Sequence, residues 1–227
     1  MFGSQHFSPV PFRAAHRWLL LLFFQLLVLG AQAQKNSIAS GNYNNPAIWN
    51  PAGVPSGAEL VVINPGHTVT LTANTANTSL TRVNGILVLA GFNLNTGDLD
   101  GTGTIQHGSG TPTLTVGSSN TPNSFTGTLT GALSFIKTGT DVFTLSGTNT
   151  YTGTTQVQQG TLRIINGTAL GSSSAVTVSN GASLTLDGGF TLGRNITING
   201  NGVGGAGALE NTAGTNIVTS TVTLASA

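Results

Sequence analysis

From about Ser56 onward, short runs of Val, Ile and Leu alternate with Thr, Ser and Asn, and each run ends at a glycine turn. Leu80-Thr-Arg-Val83, then Asn84-Gly85, then Ile86-Leu-Val-Leu89 is one such unit. Thr155-Gln-Val157, Gln158-Gln159-Gly160 and Thr161-Leu-Arg-Ile-Ile165 form another, and Val176-Thr-Val178, Ser179-Asn180-Gly181, Ala182-Ser-Leu-Thr-Leu186 repeats the pattern. A period of two puts the aliphatic side chains on one face of each strand and the hydroxyls and amides on the other. The aliphatic residue ahead of each turn falls at Val157, Val178 and Ile198, spacings of 21 and 20, with a looser 24 to Val222. A period near 20 signals stacked repeats.

Two architectures produce this pattern. In a hairpin sandwich Asn-Gly reverses the chain in a type I′ turn. In a parallel β-solenoid the same glycine turns a corner, and the next strand runs along a neighbouring face of the same coil. Strands of three to five residues at this period favour the solenoid, because each coil then supplies two or three short strands that pair with strands above and below. The expected fold is all-β, a right-handed parallel β-helix of roughly eight coils over residues 56–227. Residues 34–55 are expected to form an N-terminal cap.

Composition agrees with that choice. Only 6% of the 227 residues are charged, while glycine contributes 32 and threonine 35, both poor helix formers. The net charge is +1 with no basic run, which lacks the electrostatic footprint of a nucleic-acid binder. Cysteine is absent, which excludes disulfides and thiolate metal sites. At the N-terminus Arg13, His16 and Arg17 precede an apolar run from Trp18 to Phe24 that resumes at Leu26–Leu29, and Ala31-Gln-Ala33 supplies the small-residue cleavage pattern. Residues 1–33 therefore read as a signal peptide, since the apolar run is short of the roughly 20 residues that span a bilayer. No second apolar span follows, and no transmembrane helix is expected.

Residues 129–165 read LTGALSFIKTGTDVFTLSGTNTYTGTTQVQQGTLRII. Through Lys137-Thr-Gly139, Phe143-Thr-Leu-Ser-Gly147, Asn149-Thr-Tyr-Thr-Gly153 and Gly160-Thr-Leu162 this segment closely resembles the autotransporter-associated β-strand repeat of bacterial surface proteins. The resemblance implies a parallel β-helix, export, and a place on the outer cell surface or in the medium, and it implies no catalytic residues and no cofactor. Autotransporters end in a membrane β-barrel, whereas this sequence stops at Ala227 inside a repeat, so the export route stays open. Farther upstream, Ser40-Gly-Asn-Tyr43, Trp49 and Val61-Val-Ile-Asn-Pro-Gly-His-Thr-Val-Thr-Leu71 resemble the G8 module of extracellular proteins.

Candidate chemistry is sparse. Asp98 and Asp100 share one side of a strand, about 7 Å apart, where two carboxylates could bind Ca²⁺ or act as acid and base with Arg82 or Lys137. Gly97 and Gly101 flank them and allow the competing reading of a polar turn. Tyr43 and Trp49 either cover the open end of the first coil or stack on a sugar, with capping favoured by the logic of repeat proteins. His67 and His107 have no carboxylate at ligand spacing, and the glycine-rich segment 200–207 lacks the lysine and helix of a phosphate loop. Thr-x-Thr begins at 68, 113, 126, 148 and 221, too irregular for one copy per coil, which favours threonine as solvent-facing strand residue over an ice-binding array. The sequence thus points to a non-enzymatic secreted or surface module, adhesin-like, whose partners are surface glycans or a larger surface assembly. The alternatives are a carbohydrate-active β-helix, or ice or glycan binding by threonine-rich faces. The alternating strand 220–225 is expected to leave an open edge that stacks on further repeats, a second copy or a partner.

Overall fold

The computed structural model describes residues 33–226. The signal peptide expected over residues 1–33 lies outside them, except for its last residue. Among the described residues nearly every regular element is a strand, and no helix is long and apolar enough to cross a membrane.

Each coil turns through three faces. On the first face lie Leu60–Ile63, residues 80–83, residues 98–100, Asn123–Phe125, Val142–Leu145, Gly160–Ile164, Ala182–Asp187 and Leu209–Ala213. These are eight strands separated by seven turns of the solenoid, in line with the roughly eight coils expected from the repeat. The second face carries Gly41–Asn42, Thr68–Thr70, Ile86–Val88, Thr104–Gln106 and Thr128–Thr130, all parallel and in register. The third carries residues 75–77 and 94–96, then Thr113–Val116, Ser134–Lys137, Thr155–Val157, Val176–Val178, Ile196–Asn199 and Val222–Ser226. Two long strands, Thr75–Val83 and Leu94–Asp100, bend from the third face onto the first face of the next coil, which joins early rungs of both faces into one eleven-stranded sheet.

Inward positions stack into largely apolar columns because the register repeats coil after coil. Leu94, Leu114, Phe135, Thr155, Val176 and Ile196 form one, and Val69, Leu87, Ile105 and Leu129 another, each residue buried. Burying one such side chain contributes about 1.5–3 kcal/mol, so the columns are the main source of stability. The last coil corrects one alignment: Ile198 pairs with Leu224, while Val222 pairs with Ile196, so the spacing there is 26. Segment 200–208 takes up the extra residues around a short turn at Val203–Gly205, with positive φ at Gly200, Gly202, Gly204, Gly205 and Gly207.

The uncharged polar residues are structural. Asn149 is buried; its Oδ1 accepts from the Leu129 N–H at 2.7 Å, and its Nδ2 donates to the Ala169 carbonyl at 2.6 Å, so one amide ties three coils together. At the corners Asn74 Oδ1 accepts from Asn93 N, Asn93 Oδ1 from Thr113 N, and Asn120 Oδ1 from Thr140 N, each at 2.8 Å. Backbone groups at a corner have no ladder partner, and an amide one coil away supplies it.

At the N-terminal end Gln34–Ser37 pairs in parallel with Leu60–Ile63, and Trp49–Asn50 lies antiparallel on its other side. Trp49 is buried, donates from Nε1 to the Tyr43 carbonyl at 2.9 Å, and meets the Tyr43 ring edge-on at 5.3 Å.

Candidate functional site

The sparse charges are sorted by face. Arg82, Asp98, Asp100, Arg163, Asp187 and Glu210 all belong to strands of the first face. The strands of the second face contain no ionisable residue, and those of the third contain only Lys137.

Asp98 and Asp100 flank the buried Leu99 and therefore share the outward side of their strand. They are in different circumstances. Asp100 receives Arg82 through Nε at 2.7 Å and Nη2 at 2.6 Å, a bidentate pair between adjacent coils. That pairing holds the Arg82 guanidinium above its ordinary range. Asp98 is buried beneath the corner around residues 117–121: its Oδ2 accepts from the Thr121 hydroxyl, while Oδ1 is enclosed without a hydrogen-bond partner. A second ion pair, Arg163 with Asp187, lies farther along the same face, its Nε contact at 2.6 Å. Between the two pairs is an open depression of about 560 Å³ lined by Pro122, Asn123, Ser124, Val142, Thr144 and Arg163.

Lys137 occupies an inward column between Val116 and Val157 and is 1% exposed. Its ammonium donates to the carbonyls of Thr138 at 2.6 Å, Gly139 at 2.8 Å and Gln159 at 3.2 Å, bracing two successive corners. Gly139 must be glycine there: φ is +74°, and a Cβ would collide with the Gly117 carbonyl. Burial pushes Lys137 down to about 8, against the raising effect of the charges on Asp141 and Asp98. The sequence reading placed Lys137 beside the two aspartates as a candidate for acid–base work and missed this role. The signal was available, since stacking the repeats puts Lys137 in the aliphatic column of Val157 and Val178.

The other cations are engaged in the same way. Lys35 donates to the carbonyls of Pro51 at 3.0 Å and Ala52 at 3.1 Å. Arg194 donates to the Gly171 carbonyl through Nε at 2.8 Å and to Gly193 through Nη1 at 3.0 Å. Every Lys and Arg among the described residues thus has an intramolecular partner.

The remaining candidates are placed as follows. His67 Nδ1 hydrogen-bonds to the Ser37 hydroxyl at 2.8 Å, and His107 follows the strand Thr104–Gln106 at a corner. Among the described residues no three His, Asp or Glu side chains come together. Tyr43 is half-buried, and burial together with the charge of Glu59 pushes its phenol well above the ordinary range.

The threonine pattern is more regular in space than along the chain. Thr68, Ile86, Thr104 and Thr128 form one outward column of the second face, and Thr70, Val88, Gln106 and Thr130 the next. Thr113 and Thr115 lie on the third face, which is why numbering alone gave uneven intervals.

Residues 135–164 match the family Passenger-associated-transport-repeat. The chain is also 30% identical over 220 residues to a protein named Adhesin BmaC autotransporter from Brucella suis biovar 1 (strain 1330), an alignment covering 90% of this chain and 6% of that relative. No solved structure matches the chain significantly. The matched repeat lies where Lys137 braces its corners, with parallel coils stacked on both sides of it, and the chain is similar to repeat proteins of the autotransporter passenger type.

Proposed function

We propose that this chain is a non-enzymatic, adhesin-like module exposed on a bacterial surface or released from it, acting as a stiff scaffold that presents its faces to a partner. The observation that carries this reading is the commitment of its lysines and arginines, and of the Asp98 and Asp100 pair, to the interior of the chain. Asp100 is held by Arg82, Asp98 is buried under its corner, and Lys137 is enclosed among carbonyls. A general acid or base needs a titratable group within reach of substrate, and these groups are buried under a corner, turned to backbone carbonyls or paired with each other. The likeness to an autotransporter adhesin supports the same reading and gives export to the surface as the setting. Tyr43 and Trp49 act here as an end cover, because the indole is buried and its N–H is bonded within the chain.

The test is display of the full chain on non-adherent bacteria, with adherence to host-cell layers and release of reducing ends from polysaccharides measured in parallel. The expected result is a gain in adherence with no polysaccharide cleavage. No gain in adherence, or cleavage lost in an Asp98→Asn, Asp100→Asn variant, would contradict it.

A further inference from the structure

The two outward columns of the second face form a small lattice. Coils repeat about every 4.8 Å, and alternate residues along a strand stand roughly 7 Å apart, so Thr68/Thr70, Ile86/Val88, Thr104/Gln106 and Thr128/Thr130 present paired side chains at a fixed spacing. Seven of these eight carry a branched β-carbon, which restricts χ1 and keeps the array ordered before anything binds. None is charged.

We propose that this second face is the binding surface of the chain and that its ligand is an uncharged polysaccharide. The proposal rests on the adhesin-like reading and adds the face and the ligand class. Charge selects the class. An anionic glycan, a nucleic acid or an anionic headgroup needs Lys or Arg donors, and all five of those side chains after residue 33 are taken up by Asp100, Asp187 or backbone carbonyls. Protein partners favour aromatic and arginine anchors, and the outward columns of this face have neither. A polymer of neutral sugars matches what is present, since hydroxyls of Thr68, Thr104 and Thr128 can exchange hydrogen bonds with sugar hydroxyls while the threonine methyls, Ile86 and Val88 cover the C–H faces of the rings. Repetition on both sides lets many weak contacts act together.

The experiment applies the purified full chain to an array of neutral and acidic oligosaccharides at low and high salt. Binding is expected to neutral glycans, with little change between the two salt conditions. A Thr104→Lys, Thr128→Lys variant should lose about tenfold or more in affinity by setting desolvated charge against an uncharged ligand, and Gln106→Glu should do the same with the opposite sign. Thr144→Lys, on the first face, should leave binding unchanged, and circular dichroism should be the same for all variants. Signals confined to acidic glycans, equal binding by the second-face variants, loss of binding in Thr144→Lys, or a protein ligand bound in place of any glycan would each overturn the proposal. If displayed cells adhere through the chain but second-face variants adhere equally, this inference fails and the adhesin-like reading stands; if the displayed chain confers no adherence, the broader reading fails first.

Discussion

The first and second faces rest on the same stacked core and the same parallel ladder, yet they treat polar chemistry in opposite ways. On the first face, six ionisable residues are spread along the strands, and the two arginines each close onto an aspartate in a neighbouring coil. On the second, hydroxyl, amide and aliphatic side chains point outward, and a buried neutral amide, Asn149, supplies the coil-to-coil contact. The contrast teaches that charge in this protein is a structural material. Each lysine and arginine among the described residues is answered from within the chain, and the strands of the second face carry no charge at all.

The strongest way to break the second face is Asn149→Ala. It leaves the Leu129 N–H and the Ala169 carbonyl without their buried partner, at about 1–3 kcal/mol for each unsatisfied group. Denaturant unfolding should show a loss of about 2–4 kcal/mol, and a loss below 0.5 kcal/mol would mean that water replaces the amide readily.

Lys137→Met addresses the corner between the third and first faces. Three carbonyls lose their donor, partly offset by relief from burying a charge, and a net loss of about 1–3 kcal/mol is expected. The same residue sets a pH dependence. Its folded-state value of about 8 lies below the ordinary 10.5, so between those values the unfolded chain binds more protons than the folded one. From this group, stability therefore rises as pH increases from about 8 towards 10.5, and the cost of the buried charge is fully present below 8. The rise should be absent in Lys137→Met; a wild-type curve that falls through this window together with an unchanged variant would refute the assignment.

Smaller effects should follow from the outward side chains. Arg163 is 45% exposed, so Arg163→Gln should cost about 0–1 kcal/mol despite its close pairing with Asp187. Thr128→Lys should change stability by less than about 0.5 kcal/mol, as a surface substitution without buried partners. A loss from Thr128→Lys larger than that from Arg163→Gln would reverse the comparison, because the second face would then be structural and the first dispensable.

Much of the fold was legible in the sequence because a solenoid repeats its own evidence. Val157, Val178 and Ile198 carry the same inward position in successive coils, and their spacing gave both the period and the number of coils. The last interval was misaligned, since a glycine-rich excursion at 200–208 lengthens that coil and shifts the partner of Ile198 to Leu224. The site was less legible, because charge partners lie one coil apart: Arg82 and Asp100 are 18 residues apart, Arg163 and Asp187 are 24. Alternation alone placed Asp98 and Asp100 on the same side of a strand, as observed, but could not show that the corner at 117–121 covers one of them. The uneven numbering of Thr-x-Thr likewise hid a face that exists only once three strands per coil are assigned.

This protein keeps its cations for itself, and on the reading proposed above it meets partners through uncharged faces. The most direct test of that reading is adherence of bacteria displaying the full chain, measured as ionic strength is raised well above physiological. Adherence is expected to stay nearly constant across that range, since every cation among the described residues already has an intramolecular partner. Adherence that falls steeply with salt, as binding through Lys or Arg to an anionic partner does, would contradict it.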